Sequence, residues 1–183
     1  MDNKKIESNS SVKDKNLISI MKIVEDTIVD GPGFRVSIYS AGCSHHCKNC
    51  HNPQSWNINN GTLYSLDNVL ERILSTPLNV TFTGGDPFFQ IDAFTVLAKK
   101  IKQQSNKNIW CYTGYLFEDI LNDEVLNRML PFIDVLVDGR FVDEEKDMDL
   151  LFRGSKNQRI IDVKKSLTEN NVVEFNYNPF PEF

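Results

Sequence analysis

Residues 79–87 read Asn79-Val80-Thr81-Phe82-Thr83-Gly84-Gly85-Asp86-Pro87. The first five residues are a β-rich run, and Gly-Gly-Asp-Pro is turn-forming chemistry. The stretch therefore predicts a strand that ends abruptly in a turn with little side-chain bulk. Outward from it, the same alternation repeats. Upstream, Phe34–Ser40 is an alternating β-rich run, and 65–76 reads as a helix with Ser65 at its N-cap. Leu66, Val69, Leu70, Ile73 and Leu74 share one face of that helix. Downstream, 91–104 is a second helix with Phe94, Leu97, Ala98 and Ile101 inward. Asn108–Tyr112 is a strand ending at Thr113-Gly114. A helix over 117–130, broken near Asn122-Asp123, leads to a strand at Ile133–Val137 that ends at Asp138-Gly139. Arg159–Val163 closes the series.

Strands alternating with helices predict an α/β fold with a parallel sheet. There are too few units for a closed eight-stranded barrel, so an open, partial β/α barrel with outer helices is expected. In such sheets chemistry collects at the C-terminal strand ends. Gly84-Gly85-Asp86, Thr113-Gly114 and Asp138-Gly139 all fall there.

So does the loop after the strand at 34–40, which carries Cys43, Cys47 and Cys50 in C-x3-C-x2-C spacing. Thiolates suit iron–sulfur clusters or zinc. A cubane takes four cysteines as a rule, and this loop supplies three. The simplest inference is one iron open to a small molecule. The competing reading is a structural Cys3His zinc site completed by His45, His46 or His51. Zinc ligands come in two separated pairs, however, and no second pair exists here. Cys111, the fourth cysteine, lies inside a strand beside Trp110 and Tyr112 and reads as a buried apolar residue.

The bulk properties agree. A chain of 183 residues suits one domain. Its net charge of -5 gives no reason to expect a nucleic-acid partner. No apolar run approaches the roughly 20 residues of a membrane helix, and no signal peptide is evident. A cytoplasmic protein is expected. Residues 1–17 read as a disordered polar tail, 18–175 as one domain and 176–183 as a C-terminal tail.

The cysteine motif resembles that of the radical S-adenosylmethionine superfamily. Asp30-Gly31-Pro32-Gly33-Phe34-Arg35 is similar to the segment preceding it in glycyl-radical-activating enzymes, and Gly84-Gly85-Asp86-Pro87 to the superfamily's glycine-rich motif. Trp110 to Tyr115, Val137 to Phe141 and Arg153-Gly154-Ser155-Lys156-Asn157-Gln158-Arg159 narrow the resemblance to the activases of anaerobic ribonucleotide reductases. It implies a 4Fe–4S cluster on Cys43, Cys47 and Cys50, with S-adenosylmethionine on the open iron. It implies cofactor contacts from Asn49, Cys50 and His51, from Gly84, Gly85 and Asp86, and from Asp138. Asp86 would meet the cofactor's ammonium, Asp138 its ribose and His51 its adenine. Arg35, Arg153, Asn157 and Gln158 would grip the partner's glycine loop or the cofactor carboxylate, while His45 and His46 stand by. The protein substrate would be the reductase, and the electron would come from a low-potential donor such as flavodoxin. No catalytic side chain beyond the cluster ligands is implied. The alternatives are a radical enzyme acting on a small molecule, or a zinc or electron-transfer module. Cys→Ala at 43, 47 or 50 should abolish 5′-deoxyadenosine formation, whereas Cys111→Ala should leave it, as chromatography of the reaction products will establish.

Overall fold

The computed structural model describes residues 16–177. Of the two expected tails, residues 1–15 and 178–183 lie outside the described residues. Seven strands form one sheet: β1 (Leu17–Thr27), β2 (Arg35–Ser40), β3 (Thr62–Ser65), β4 (Asn79–Gly84), β5 (Ile109–Tyr112), β6 (Val135–Asp138) and β7 (Arg159–Asp162). Their order across the sheet is β3-β1-β2-β4-β5-β6-β7. The α-helices among the described residues are α1 (Leu66–Leu74), α2 (Ile91–Gln104), α3 (Phe117–Asn122) and, after β7, α4 (Val163–Glu169).

The central strands β2, β4, β5 and β6 are mutually parallel, as the alternation of strands and helices predicts. Helices α1, α2 and α3 follow β3, β4 and β5 in the chain. The sheet is open, with β3 and β7 as its edges. Both flanks turn antiparallel: β1 against β2 and β3, and β7 against β6. The sequence reading has neither β1 nor β3. A register shift between Ile20 and Lys22 interrupts the alternation of β1, and β3 has only four residues.

Alternation along the strands sorts side chains onto two different faces. Val36, Ile38, Val80, Phe82, Ile109, Cys111, Leu136 and Ile161 join the main core with the apolar sides of α1 and α2. The expected inward residues of both helices are there, and Ser65 caps α1 by accepting from the Asn68 amide at 3.2 Å. The helix expected over 117–130 stops at Asn122. The Asp123 carboxylate takes the amides of Val125 and Leu126 and starts a separate 3₁₀ turn, Leu126–Phe132.

The other face is polar on β2 and β4 and aromatic beyond them. Trp110, Val135 and Val137 are buried there under Phe152 and Phe175. Phe175 donates its amide to Ile160 O at 2.8 Å, so residues 172–177 run along β7 and cover this side. Arg35 lies on the same face, 1% exposed. Its guanidinium bonds Thr81 Oγ1 at 2.7 Å, Val80 O at 2.6 Å, and Asn108 O and Oδ1 at 3.2 Å, and sits over the Trp110 ring. Burial lowers its pKa to about 10. The expectation that Arg35 grips a partner or cofactor is corrected by this placement: it ties the 30–33 turn to the N-terminal ends of β4 and β5.

Asp134, just before β6, performs a similar task between helices. It accepts from Lys102 of α2, from Lys164 of α4 at 2.9 Å and from the Ile109 amide at 2.7 Å. Burial alone would raise its pKa, but these donors outweigh burial and hold it below the ordinary carboxylate value. A lowered folded pKa gives stability that is present above the unfolded value, about 3.9, and lost as pH falls through the native value. Asp134→Asn should therefore cost roughly 1.5–3 kcal/mol at neutral pH and flatten the acid limb of the stability profile, read by urea unfolding at several pH values.

Candidate iron–sulfur site

Strand β2 ends at Ser40 and the chain passes directly into the cysteine loop. The loop is held by its backbone at both ends. The Gly42 amide donates to Ser55 O at 2.7 Å and the Cys43 amide to Trp56 O at 3.1 Å. The amides of Gly85 and Asp86 donate to Ser40 O and Gly42 O at 2.9 and 2.8 Å. Gln90, 8% exposed, adds three bonds of 2.8 Å, joining Ser19 and Ala41 through one amide side chain.

This seam explains the paired glycines. Gly84 sits at φ +99°, where L side chains are strained. A Cβ on it would meet the β2 backbone at 2.6 Å, and a Cβ on Gly85 would lie 2.5 Å from Gly42 O. The space that the sequence reading reserves for a ligand beside Gly84 and Gly85 is taken, on these sides, by the chain's own cysteine loop.

Asp86 is 2% exposed, and its carboxylate is filled. Oδ1 accepts from the Phe88 amide at 2.8 Å. Oδ2 accepts from Thr113 Oγ1 at 2.9 Å and from the Gly114 amide at 3.1 Å, and lies 2.7 Å from His45 Nε2. Asp138 is equally enclosed, with no exposure. It accepts from Arg159 Nε at 3.0 Å, Arg159 Nη2 at 2.5 Å and the Phe117 amide at 2.8 Å. Arg159 also grips Glu118 through two bonds, whose hydrogen bonding holds the Glu118 pKa below its usual range. Both carboxylates therefore point inward and tie strand ends together. The expected contacts to the cofactor's ammonium and ribose meet groups that are already engaged.

Residues 139–158, between β6 and β7, fold over the cysteine loop. Asp143 accepts from Asn49 Nδ2 at 2.6 Å, Glu144 pairs with Lys48 at 2.7 Å, and Phe141 packs against the exposed His51 ring at 4.8 Å between centroids. Gln158 accepts from the amides of Gly154 and Ser155 and donates to Gly139 O, Arg153 donates to Gln158 O, and Asn157 donates to Arg140 O. These three side chains staple their own loop, which differs from the partner-gripping part expected of them.

The three thiols are free and half-buried. Burial pushes Cys43 up to about 11 and raises Cys47, so protons must leave when metal binds. Backbone amides face the sulfurs: those of His45 and His46 at Cys43, that of Phe141 at Cys47, and that of Asn52 at Cys50 at 3.4 Å. Such donors favour a thiolate, and they are the groups that tune iron–sulfur clusters. Cys111 lies fully buried on the helix-covered face. Each histidine has other company: His45 on Asp86, His46 against Trp56 at 4.9 Å, and His51 on Phe141. The donor set fits a multi-iron cluster with three protein ligands better than a Cys3His zinc site.

A cleft of about 150 Å³ adjoins this loop, lined by Met21, Lys22, Tyr39, Asn52, Gln54, Ser55 and Gly84. A larger one of about 450 Å³, between Leu74 and Lys107, lies by the N-terminal ends of β4 and β5 and shares no residue with the cysteine loop.

A family model described as a 4Fe-4S single cluster domain matches residues 29–161, which include the cysteine loop, Gly84 to Asp86, Asp138 and the 139–158 loop. The protein is thus of the 4Fe–4S single-cluster class. Over 144 residues it is 36% identical to the anaerobic ribonucleoside-triphosphate reductase-activating protein of Haemophilus influenzae, covering 73% of this chain and 90% of that one. The protein of the same name from Enterobacteria phage T4 is 38% identical over 143 residues, covering 72% and 86%. That of Escherichia coli K12 is 32% identical over 140 residues, covering 72% and 90%. The chain belongs to the family of anaerobic ribonucleoside-triphosphate reductase-activating proteins.

The seam between loop and strand yields a direct test. Gly85→Ala places a methyl against backbone that cannot rotate away. It should cost roughly 1–3 kcal/mol and lower the iron retained after anaerobic reconstitution and gel filtration.

Proposed function

We propose that this protein activates the anaerobic ribonucleotide reductase from a 4Fe–4S cluster held by Cys43, Cys47 and Cys50. The observation that carries the reading is the incomplete ligand set. Three thiols share one loop, the fourth cysteine is sealed in the core, and all three histidines are engaged elsewhere. A cluster held by Cys43, Cys47 and Cys50 would supply the low-potential electron for reductive cleavage of S-adenosylmethionine, the chemistry by which a glycine of the reductase would lose a hydrogen atom.

The chain's own residues position and shield. Asn49, Cys50 and His51 form the exposed wall of the loop, where the cofactor's adenosyl part is proposed to lie. Asn49 takes a left-handed backbone at φ +55°, and its side chain is fixed by Asp143. The backbone at Gly84 and Gly85 is proposed as the other wall, and Gly84 lines the cleft beside Tyr39 and Asn52. Asp86 and Asp138 contribute by keeping the strand ends in register. The 139–158 loop, seated on Lys48, Asn49 and His51, covers the cluster side and limits water and oxygen.

The electron is proposed to come from an external donor such as flavodoxin. Free thiols suit a reducing compartment, so the cytoplasm is the proposed location. Among the described residues no helix is long and apolar enough to cross a membrane. Neither a nucleic acid nor a membrane is proposed as a partner.

Anaerobic reconstitution with iron and sulfide, then reductant and S-adenosylmethionine, tests the first half of the reading: 5′-deoxyadenosine should form. Adding the reductase should then produce a glycyl radical by electron paramagnetic resonance. Release of 5′-deoxyadenosine with no radical on the reductase would favour a small-molecule substrate instead.

A further inference from the structure

His45 enters the sequence reading as a bystander, and the structure gives it a fixed position. Its side chain is 5% exposed and that of Asp86 is 2% exposed, with 2.7 Å between Nε2 and Oδ2. Oδ2 also accepts from Thr113 Oγ1 and the Gly114 amide, so the His45 ring completes the enclosure of that oxygen. The ring is edge-on to Tyr115 at 4.6 Å between centroids. It also lies so close to Gly114 that a Cβ there would come within 2.4 Å of His45 Cδ2. The end of β5 is thus shaped to admit this ring.

What the ring holds is the start of the cluster loop. The next residue, His46, has a left-handed backbone at φ +47°. That turn directs the amides of both His45 and His46 at the sulfur of Cys43. Without its anchor on Asp86, nothing among the described hydrogen bonds fixes the His45 side chain.

We propose that His45 and Asp86 are a positioning pair, fixing the His45–His46 turn so that its two amides face the Cys43 sulfur and set both the retention and the reduction potential of the cluster. The proposal rests on the assignment of Cys43, Cys47 and Cys50 as ligands. It assigns Asp86 to the loop rather than to the cofactor, because both carboxylate oxygens and the enclosing Thr113 and Gly114 donors are already committed. It also commits Nε2 of His45 to Asp86. Hydrogen bonds to cluster sulfurs favour the more negative, reduced state. Loosening the turn must therefore make the cluster harder to reduce.

The test uses the full chain, reconstituted anaerobically, with three variants. His45→Leu fills the space and donates nothing. His45→Gln fills it and offers an amide N–H to Asp86. Asp86→Asn keeps the shape and removes the charge. Iron per chain, the midpoint potential and the paramagnetic spectrum of the reduced cluster are read for each, with circular dichroism as the folding control. His45→Leu and Asp86→Asn should each retain several-fold less iron, and the remaining cluster should have a more negative potential and an altered spectrum. Their combination should be no worse than the poorer single variant, and His45→Gln should restore most of the loss. Parental iron content and potential in His45→Leu would overturn the proposal. So would an Asp86→Asn protein with an unaltered cluster and at least ~10-fold weaker S-adenosylmethionine binding, about 1.4 kcal/mol, because that pattern marks a direct cofactor contact. A parent chain that takes up no cluster at all would instead overturn the ligand assignment.

Discussion

The buried carboxylate of Asp86 is the point on which the upper edge of this molecule depends. It gathers a side chain from the cysteine loop, a hydroxyl and an amide from the end of β5, and an amide from the turn that starts its own helix. A buried charge is tolerated only when it is fully hydrogen-bonded, and each bond to it is worth more than a neutral one. Removing any partner would leave part of that charge exposed to an apolar surrounding. The carboxylate therefore fixes the relative positions of three segments that are far apart in sequence, and two of them border the cluster loop.

The sheet supplies the setting. Parallel central strands bring every strand-to-helix turn to one edge, so the ends of β2, β4, β5 and β6 lie side by side. The helix-covered face is apolar along most of its length, with Ser40 and Asp138 at its upper edge, and this fixes the register of the strands. The opposite face carries Arg35, Ser37, Tyr39 and Thr81 on β2 and β4, then Trp110 and Tyr112 on β5. Ser37 Oγ is buried there without a partner in the structure. The residues after β7 cover the aromatic part and leave the polar part next to the cysteine loop. The chain thus borders its site from two directions: the strand ends below and the loop after β6 above.

Much of this was legible from the sequence because it depends on local pattern. The helix at Ile91–Gln104 and the strands at β2, β4, β5 and β6 follow from periodicity and from their terminal turns. The three cysteines announce themselves by spacing. Strands β1 and β3 were not legible, because a bulge and a short length hide the alternation. Side-chain direction at the rim was also illegible. A Gly-Gly-Asp turn looks the same whether its carboxylate faces a ligand or the protein, and only the tertiary position of His45, 41 residues away, decides which. Arg159 does the same for Asp138, 21 residues away. The staple made by Arg153, Asn157 and Gln158, for which the sequence suggests the partner's glycine loop or the cofactor carboxylate, is illegible for the same reason: backbone groups as partners leave no trace in sequence.

The central claim is a cluster with three protein ligands and one iron left for the cofactor. Mössbauer spectroscopy of the iron-57 reconstituted protein, before and after adding S-adenosylmethionine, measures this most directly. The account predicts that one iron in four changes its isomer shift on addition while the other three keep theirs. Four irons that remain equivalent, or iron that fails to form a cubane at all, would contradict it.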